Sequence, residues 1–108
     1  MTVSSVDSGT QTAVISTEHT LSTQTTAGVY VLVVDCNAMV LGDTVELRVK
    51  TKYASGGTER QARVYILANV QEDANFYSDP IPIDNSVKVT LLQTAGTGRA
   101  FPWNLLKA

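Results

Sequence analysis

Val87-Lys88-Val89-Thr90-Leu91-Leu92-Gln93-Thr94-Ala95-Gly96-Thr97-Gly98-Arg99-Ala100-Phe101-Pro102-Trp103 alternates, breaks, and alternates again. Val87, Val89 and Leu91 share one face of an extended chain, with Lys88 and Thr90 on the other. Gly96 and Gly98 permit the positive φ that a reversal needs. After the break, Phe101, Trp103 and Leu105 again fall on one face. The pattern predicts a terminal β-hairpin. It carries the single Trp and one of two Phe residues in a chain with only 6% aromatic residues. Those rings are a large share of the apolar area available for burial.

Working outward, the other segments have the same character. Val29-Tyr30-Val31-Leu32-Val33-Val34-Asp35 is a β-branched run, too short for a typical helix, and reads as a central strand buried on both faces. Asp35 to Asp43 is a connection with room for one helical turn over Asn37 to Val40, closed by Gly42. From Asp43 to Tyr53, Val45, Leu47, Val49, Thr51 and Tyr53 alternate with Glu46, Arg48, Lys50 and Lys52, as in a sheet with one buried and one solvated face. Gly56-Gly57 supplies a hairpin loop. The return strand, Glu59 to Val70, places Ala62, Val64, Ile66, Ala68 and Val70 on one face and Arg63, Tyr65 and Leu67 on the other. Glu46 on one exposed face and Arg60 and Arg63 on its partner suit cross-strand ion pairs. Pro80 and Pro82 cannot donate to a ladder, so residues 76–84 read as an edge strand.

A weaker alternation predicts a strand near 13–23. Residues 1–12 are rich in Ser, Thr, Gly and Asp, with Val3 and Val6 isolated, and read as a flexible N-terminal arm. Residues 13–108 then form a single domain. Six or seven short strands, turn signals every 8–14 residues and no amphipathic helix predict an all-β antiparallel β-sandwich, jelly-roll-like in topology.

Composition narrows the function. The 108 residues are 44% hydrophobic and 17% charged, with a formal net charge of -2. Such a chain has no row of cations to neutralise phosphates, which argues against nucleic acid. No apolar run reaches the roughly 18 residues of a membrane span. Met1 to Asp7 lacks the basic start and apolar stretch of a secretory signal. Cys36 is alone, which suits a reducing compartment.

No catalytic, cofactor or metal set emerges. His19, beside Glu18, has no second ligand nearby, and adjacent strand residues point to opposite faces. Cys36 lacks a neighbouring base and reads as a small buried hydrophobe. Gly96-Thr97-Gly98-Arg99 lacks Walker spacing and a following helix, so it reads as turn chemistry. Asp73, Asp79, Asp84 and Asn85 lack calcium-loop spacing. Phe101-Pro102-Trp103 reads first as core packing and second as an anchor at a subunit interface.

The segments Val45 to Lys52, Asp35-Cys36-Asn37-Ala38-Met39-Val40-Leu41-Gly42-Asp43 and Thr90 to Trp103 together resemble a group of small virion proteins of tailed bacteriophages. The resemblance spans about residues 28–106. It implies a non-enzymatic capsid cement (decoration) protein, a β-sandwich sitting as a homotrimer on the shell. The implied partner is the major capsid protein, and the implied location is the capsid surface of a virion assembled in the bacterial cytoplasm. Val3, Val6, Phe101 and Trp103 are the expected interface residues. Two other readings are a carbohydrate- or receptor-binding module of a tail or spike, using Tyr53, Tyr65, Tyr77 or Trp103, and a tail-tube or head–tail connector component. A small hydrolase lacks a nucleophile–base–orienter set.

Overall fold

A computed structural model describes residues 2–108. Nine strands are present among them: β1 (Ser4–Thr12), β2 (Glu18–Gln24), β3 (Gly28–Asp35), β4 (Thr44–Thr51), β5 (Arg60–Ala68), β6 (Asn75–Tyr77), β7 (Ile81–Ile83), β8 (Val87–Ala95) and β9 (Ala100–Lys107). They form two antiparallel sheets. One, sheet A, runs β1-β9-β3-β6, with β7 also on β3; the other, sheet B, runs β2-β8-β4-β5. β6 and β7 act as one interrupted strand. They pair with the two ends of β3, and Ser78 fills the gap, its hydroxyl accepting from Leu32 N–H at 2.9 Å. Its own N–H donates to the Leu32 carbonyl.

Counted that way, the pairs are nested: β4 with β5, β3 with β6/β7, β2 with β8, β1 with β9. A two-stranded ribbon has been folded so that β9 also meets β3 and β8 also meets β4. This is the jelly-roll order of an antiparallel sandwich.

The period-2 alternation explains the core. Tyr30, Leu32 and Val34 of β3 and Phe101 and Leu105 of β9 face Val45, Leu47 and Val49 of β4 and Val87, Val89 and Leu91 of β8. All eleven are fully buried. Each such side chain contributes about 1.5–3 kcal/mol by leaving water. The β3 run is central in its sheet but buried on one face only. Val29, Val31 and Val33 remain half-exposed on the outside.

Three further expectations about the strands are corrected by the structure. First, the C-terminal hairpin does not exist: β8 lies in sheet B and β9 in sheet A. The Gly96–Gly98 connection crosses between sheets instead of reversing within one. Gly96 has φ +91°, and a Cβ there would collide with the Asp43 carboxylate; a Cβ at Gly98 would collide with the Ala13 carbonyl. The glycines therefore serve a close approach to other loops.

Second, the N-terminal arm is a strand. Residues 4–12 pair with β9 along its length, with a bulge at Val6. The inward positions of β1 are polar or bare, which is why no apolar alternation marks it. Asp7 accepts a hydrogen bond from the Ser22 hydroxyl of sheet B at 2.7 Å. Gly9 leaves room for the Trp103 indole, whose nearest atom would lie 3.4 Å from an added Cβ. Met1, also assigned to the arm, lies outside the described residues.

Third, β5 presents its more aliphatic face to solvent. Register pairs Leu47 with Tyr65 and Val45 with Leu67, so Tyr65 and Leu67 turn inward. Val64, Ile66 and Val70 are exposed. Tyr65 meets Phe76 edge-to-face, with ring centroids 5.0 Å apart, which favours the larger side chains on the inside. Arg63 shares that side and reaches Asp79 rather than Glu46; Glu46 pairs with Arg48 on its own strand. Residues 37–40 form hydrogen-bonded turns, with no helix among the described residues.

Because β1 covers one side of β9, deleting residues 2–12 should lower stability by about 2 kcal/mol or more, roughly 10 °C in Tm for a domain of this size. Thermal unfolding of the truncated chain measures this. An unchanged Tm would mean that β1 is dispensable to the sandwich.

Candidate functional surfaces

The densest polar cluster lies where four connections cross between the sheets: β1–β2, β3–β4, β5–β6 and β8–β9. Asp43 stands at its centre, with its side chain 1% exposed. Its carboxylate accepts from Val40 N–H at 2.9 Å, from Thr97 N–H at 3.3 Å and from Arg99 Nε at 2.9 Å. Its backbone carbonyl accepts from Asn69 N–H at 2.8 Å, while the Asn69 side chain accepts from Gly42 N–H. Gln93, fully buried, donates to the Ala95 and Thr97 carbonyls and accepts from Arg99 N–H. The β1–β2 loop joins through Ala13 N–H to the Arg99 carbonyl and Ser16 N–H to the Gln93 carbonyl, both 2.8 Å. Burial alone raises the Asp43 pKa, but the bonds from Val40, Arg99 and Thr97 outweigh it and hold the carboxyl below its ordinary value.

Both oxygens of the Asp43 carboxylate and both polar atoms of the Gln93 amide are already bonded within the chain. The buried Asp43 carboxylate takes its three bonds from two separate connections, so its role is to fasten loops. His19 is tied in the same way: its Nε2 accepts from Val14 N–H at 3.1 Å. Cys36 is 1% exposed, and burial, then the neighbouring Asp35 charge, pushes its thiol up to about 11. Such a thiol is protonated and inert at neutral pH. Asp79 is engaged by Arg63 and by the Tyr65 hydroxyl, so the acidic loop residues do not converge. Among the described residues, no group of three His, Cys, Asp or Glu is placed to hold a metal ion.

The outer face of sheet B is ionic. Glu18 bridges Lys50 at 3.0 Å and Arg48 at 3.5 Å, and Arg48 reaches Glu46 at 3.1 Å. The Thr90 hydroxyl donates to Glu18. That bond first, then Lys50 and Arg48, lowers the Glu18 pKa against a smaller opposing effect of burial. Partly exposed pairs of this kind each contribute only about 0–1 kcal/mol.

The outer face of sheet A carries an apolar patch. Val3, Val29, Val31, Tyr77, Pro80 and Leu106 line a groove of about 320 Å³. β3 and β9 bring Val31 and Leu106 directly opposite each other. Of the four expected interface residues, Val3 lies in this groove and is 59% exposed, and Val6 is also exposed, at the β1 bulge. Phe101 is fully buried, because its face of β9 points into the core with Leu105; it cannot touch a partner. Trp103 is half-buried, packed on the core, with its exposed part in a shallow groove beside Val33, Asn75 and Pro102. Sequence reading missed Val29, Val31 and Leu106, although the unbroken Val29–Val34 run signalled apolar residues on both faces of β3.

A third concave surface, about 500 Å³, lies between the end of β4 and β7 and is lined by Thr51, Lys52, Tyr53, Pro82, Ile83 and Asp84. Tyr53, which the alternation places with the buried residues of β4, lies beyond the strand's end at Thr51 and is 86% exposed at the lip of this surface. No family model, no curated protein and no solved structure matches the chain.

The low pKa values of Asp43 and Glu18 have a consequence for acid stability. The unfolded chain, with ordinary values of 3.8 and 4.5, takes up protons before the folded one. Their contribution is therefore fully present above those values and is lost as pH falls through and below them. Asp43→Asn should cost about 2–3 kcal/mol at neutral pH and flatten the acid limb of the stability–pH profile. Urea unfolding from pH 7 downward measures both effects. An unchanged acid limb would remove Asp43 from this role.

Proposed function

We propose that this chain is a non-enzymatic structural protein of a phage virion, a capsid cement protein that docks on the shell through the outer face of sheet A. The observation that carries the reading is the apolar groove of Val3, Val29, Val31, Tyr77, Pro80 and Leu106. A contiguous apolar surface on a small domain marks an interaction site. Val29, Val31, Tyr77 and Leu106 lie on strands, so that part of its shape is fixed by the same ladder that builds the core. The resemblance of residues 28–106 to small phage virion proteins supplies the partner, the major capsid protein. Many identical copies on a repeating lattice gain avidity of about 10²–10⁴ over a single contact, so each groove needs only modest affinity.

A second reading rests on Tyr53. A solvated ring beside Lys52, Thr51 and Asp84, over an open groove, offers a stacking platform and polar groups to a sugar ring. Under that reading the molecule is a carbohydrate-binding module of the particle.

Co-sedimentation with shells stripped of their small outer proteins separates the two. The cement reading predicts saturable binding that Val31→Glu and Leu106→Glu abolish and Tyr53→Ala leaves intact. Both glutamates replace half-exposed outer residues, so the melting temperature reports separately on folding. Absence of binding to shells, or binding indifferent to the groove variants, contradicts the cement reading. Sugar-dependent quenching of intrinsic fluorescence that Tyr53→Ala removes supports the second.

A further inference from the structure

Three of the four sheet edges carry features that discourage a passing strand. β1 is bulged at Val6 and made mostly of Ser, Thr, Gly and Asp. β2 is bulged at Leu21 and begins with Glu18. β6 and β7 are three residues each, with Pro82 inside β7. β5 differs. It is nine residues long, has β4 as its only strand partner among the described residues, and contains neither proline nor lysine. Its one irregularity, at Ala62, leaves residues 63–68 regular. Its outward side chains include Val64 at 41% and Ile66 at 64% exposure.

We propose that β5 pairs antiparallel with β5 of a second copy of this chain across a two-fold axis. Charge selects the occupant. The strand enters through Arg60 and is followed, past Val70, by Glu72 and Asp73. Among the described residues, none of these three charges has an ion-pair partner within the chain. Glu59 and Arg63, by contrast, are engaged by Lys88 and Asp79. Antiparallel two-fold pairing brings the entry of each strand beside the exit of the other, so Arg60 meets Glu72 and Asp73 twice. Parallel pairing would set Arg60 against Arg60. The same operation lays the row Val64, Ile66, Ala68 against its own copy, aliphatic on aliphatic. A net charge of -2 opposes self-association little. The two-fold contact closes on itself and gives dimers; a homotrimer would need a different surface. The inference is independent of what sheet A binds.

Sedimentation equilibrium from about 10 µM to about 1 mM protein tests it, a range that covers the weak affinities of small interfaces. The expected species at high concentration has twice the 11.6 kDa chain mass and weakens with added salt. Ile66→Lys should leave monomer throughout with its melting temperature little changed, since the side chain is exposed. Arg60→Glu should weaken the dimer about tenfold, each lost pair being counted twice by symmetry. Combining Arg60→Glu with Glu72→Arg and Asp73→Arg should restore it. Monomer at every concentration, a trimer, or association indifferent to Ile66→Lys overturns the proposal.

Discussion

The Asp43 carboxylate is the constraint on which the sandwich depends. A buried charge is tolerated only where hydrogen bonds replace its water. Here the replacements come from two different connections, Val40 before β4 and Thr97 and Arg99 after β8. Those bonds hold β8 and β9 in separate sheets. Gln93 and Asn69 extend the fastening to the β1–β2 and β5–β6 crossings through backbone groups. Four of the six places where the chain changes sheet are thus tied to one another.

With the crossings fixed, the two layers divide the chemistry of the surface. Sheet B shows solvent a set of ion pairs around Glu18 and Arg48. Sheet A shows solvent valines and Leu106. The asymmetry follows from β3, whose β-branched residues continue on both faces, whereas β4 alternates them with Glu46, Arg48 and Lys50. The sandwich therefore has one ionic outside, one outside with an apolar groove, and an aliphatic edge at β5. The residues suited to nucleophilic or acid–base work, Cys36 and His19, are spent on packing and on a backbone hydrogen bond.

Much of this was legible in the sequence. The β4 and β8 cores, the Gly56-Gly57 hairpin and the proline-marked edge at β7 all followed from period 2 and turn chemistry. β1 was not legible, because its inward positions are Asp7, Gly9 and Gln11, which carry no apolar signal; a hydroxyl on another sheet and an indole complete them. The Gly96–Gly98 segment was read as a hairpin because glycine chemistry is the same for a reversal and for a crossing. What distinguishes them is Asp43, more than fifty positions earlier, and no local pattern reports that contact. The outward turn of Val64 and Ile66 was hidden for a similar reason: cross-strand register, not the aliphatic count of a face, decides which side is buried.

Amide hydrogen exchange tests the central claim most directly, because it reads the loop bonds one at a time. If the carboxylate of Asp43 fastens the crossings, the Val40 and Thr97 amides exchange as slowly as core amides of β4 and β8, despite lying in connections. In Asp43→Asn both should lose that protection while the β4–β5 ladder keeps its own. Rapid exchange of Val40 and Thr97 in the unaltered protein, at the rate of solvated loops, would contradict the account.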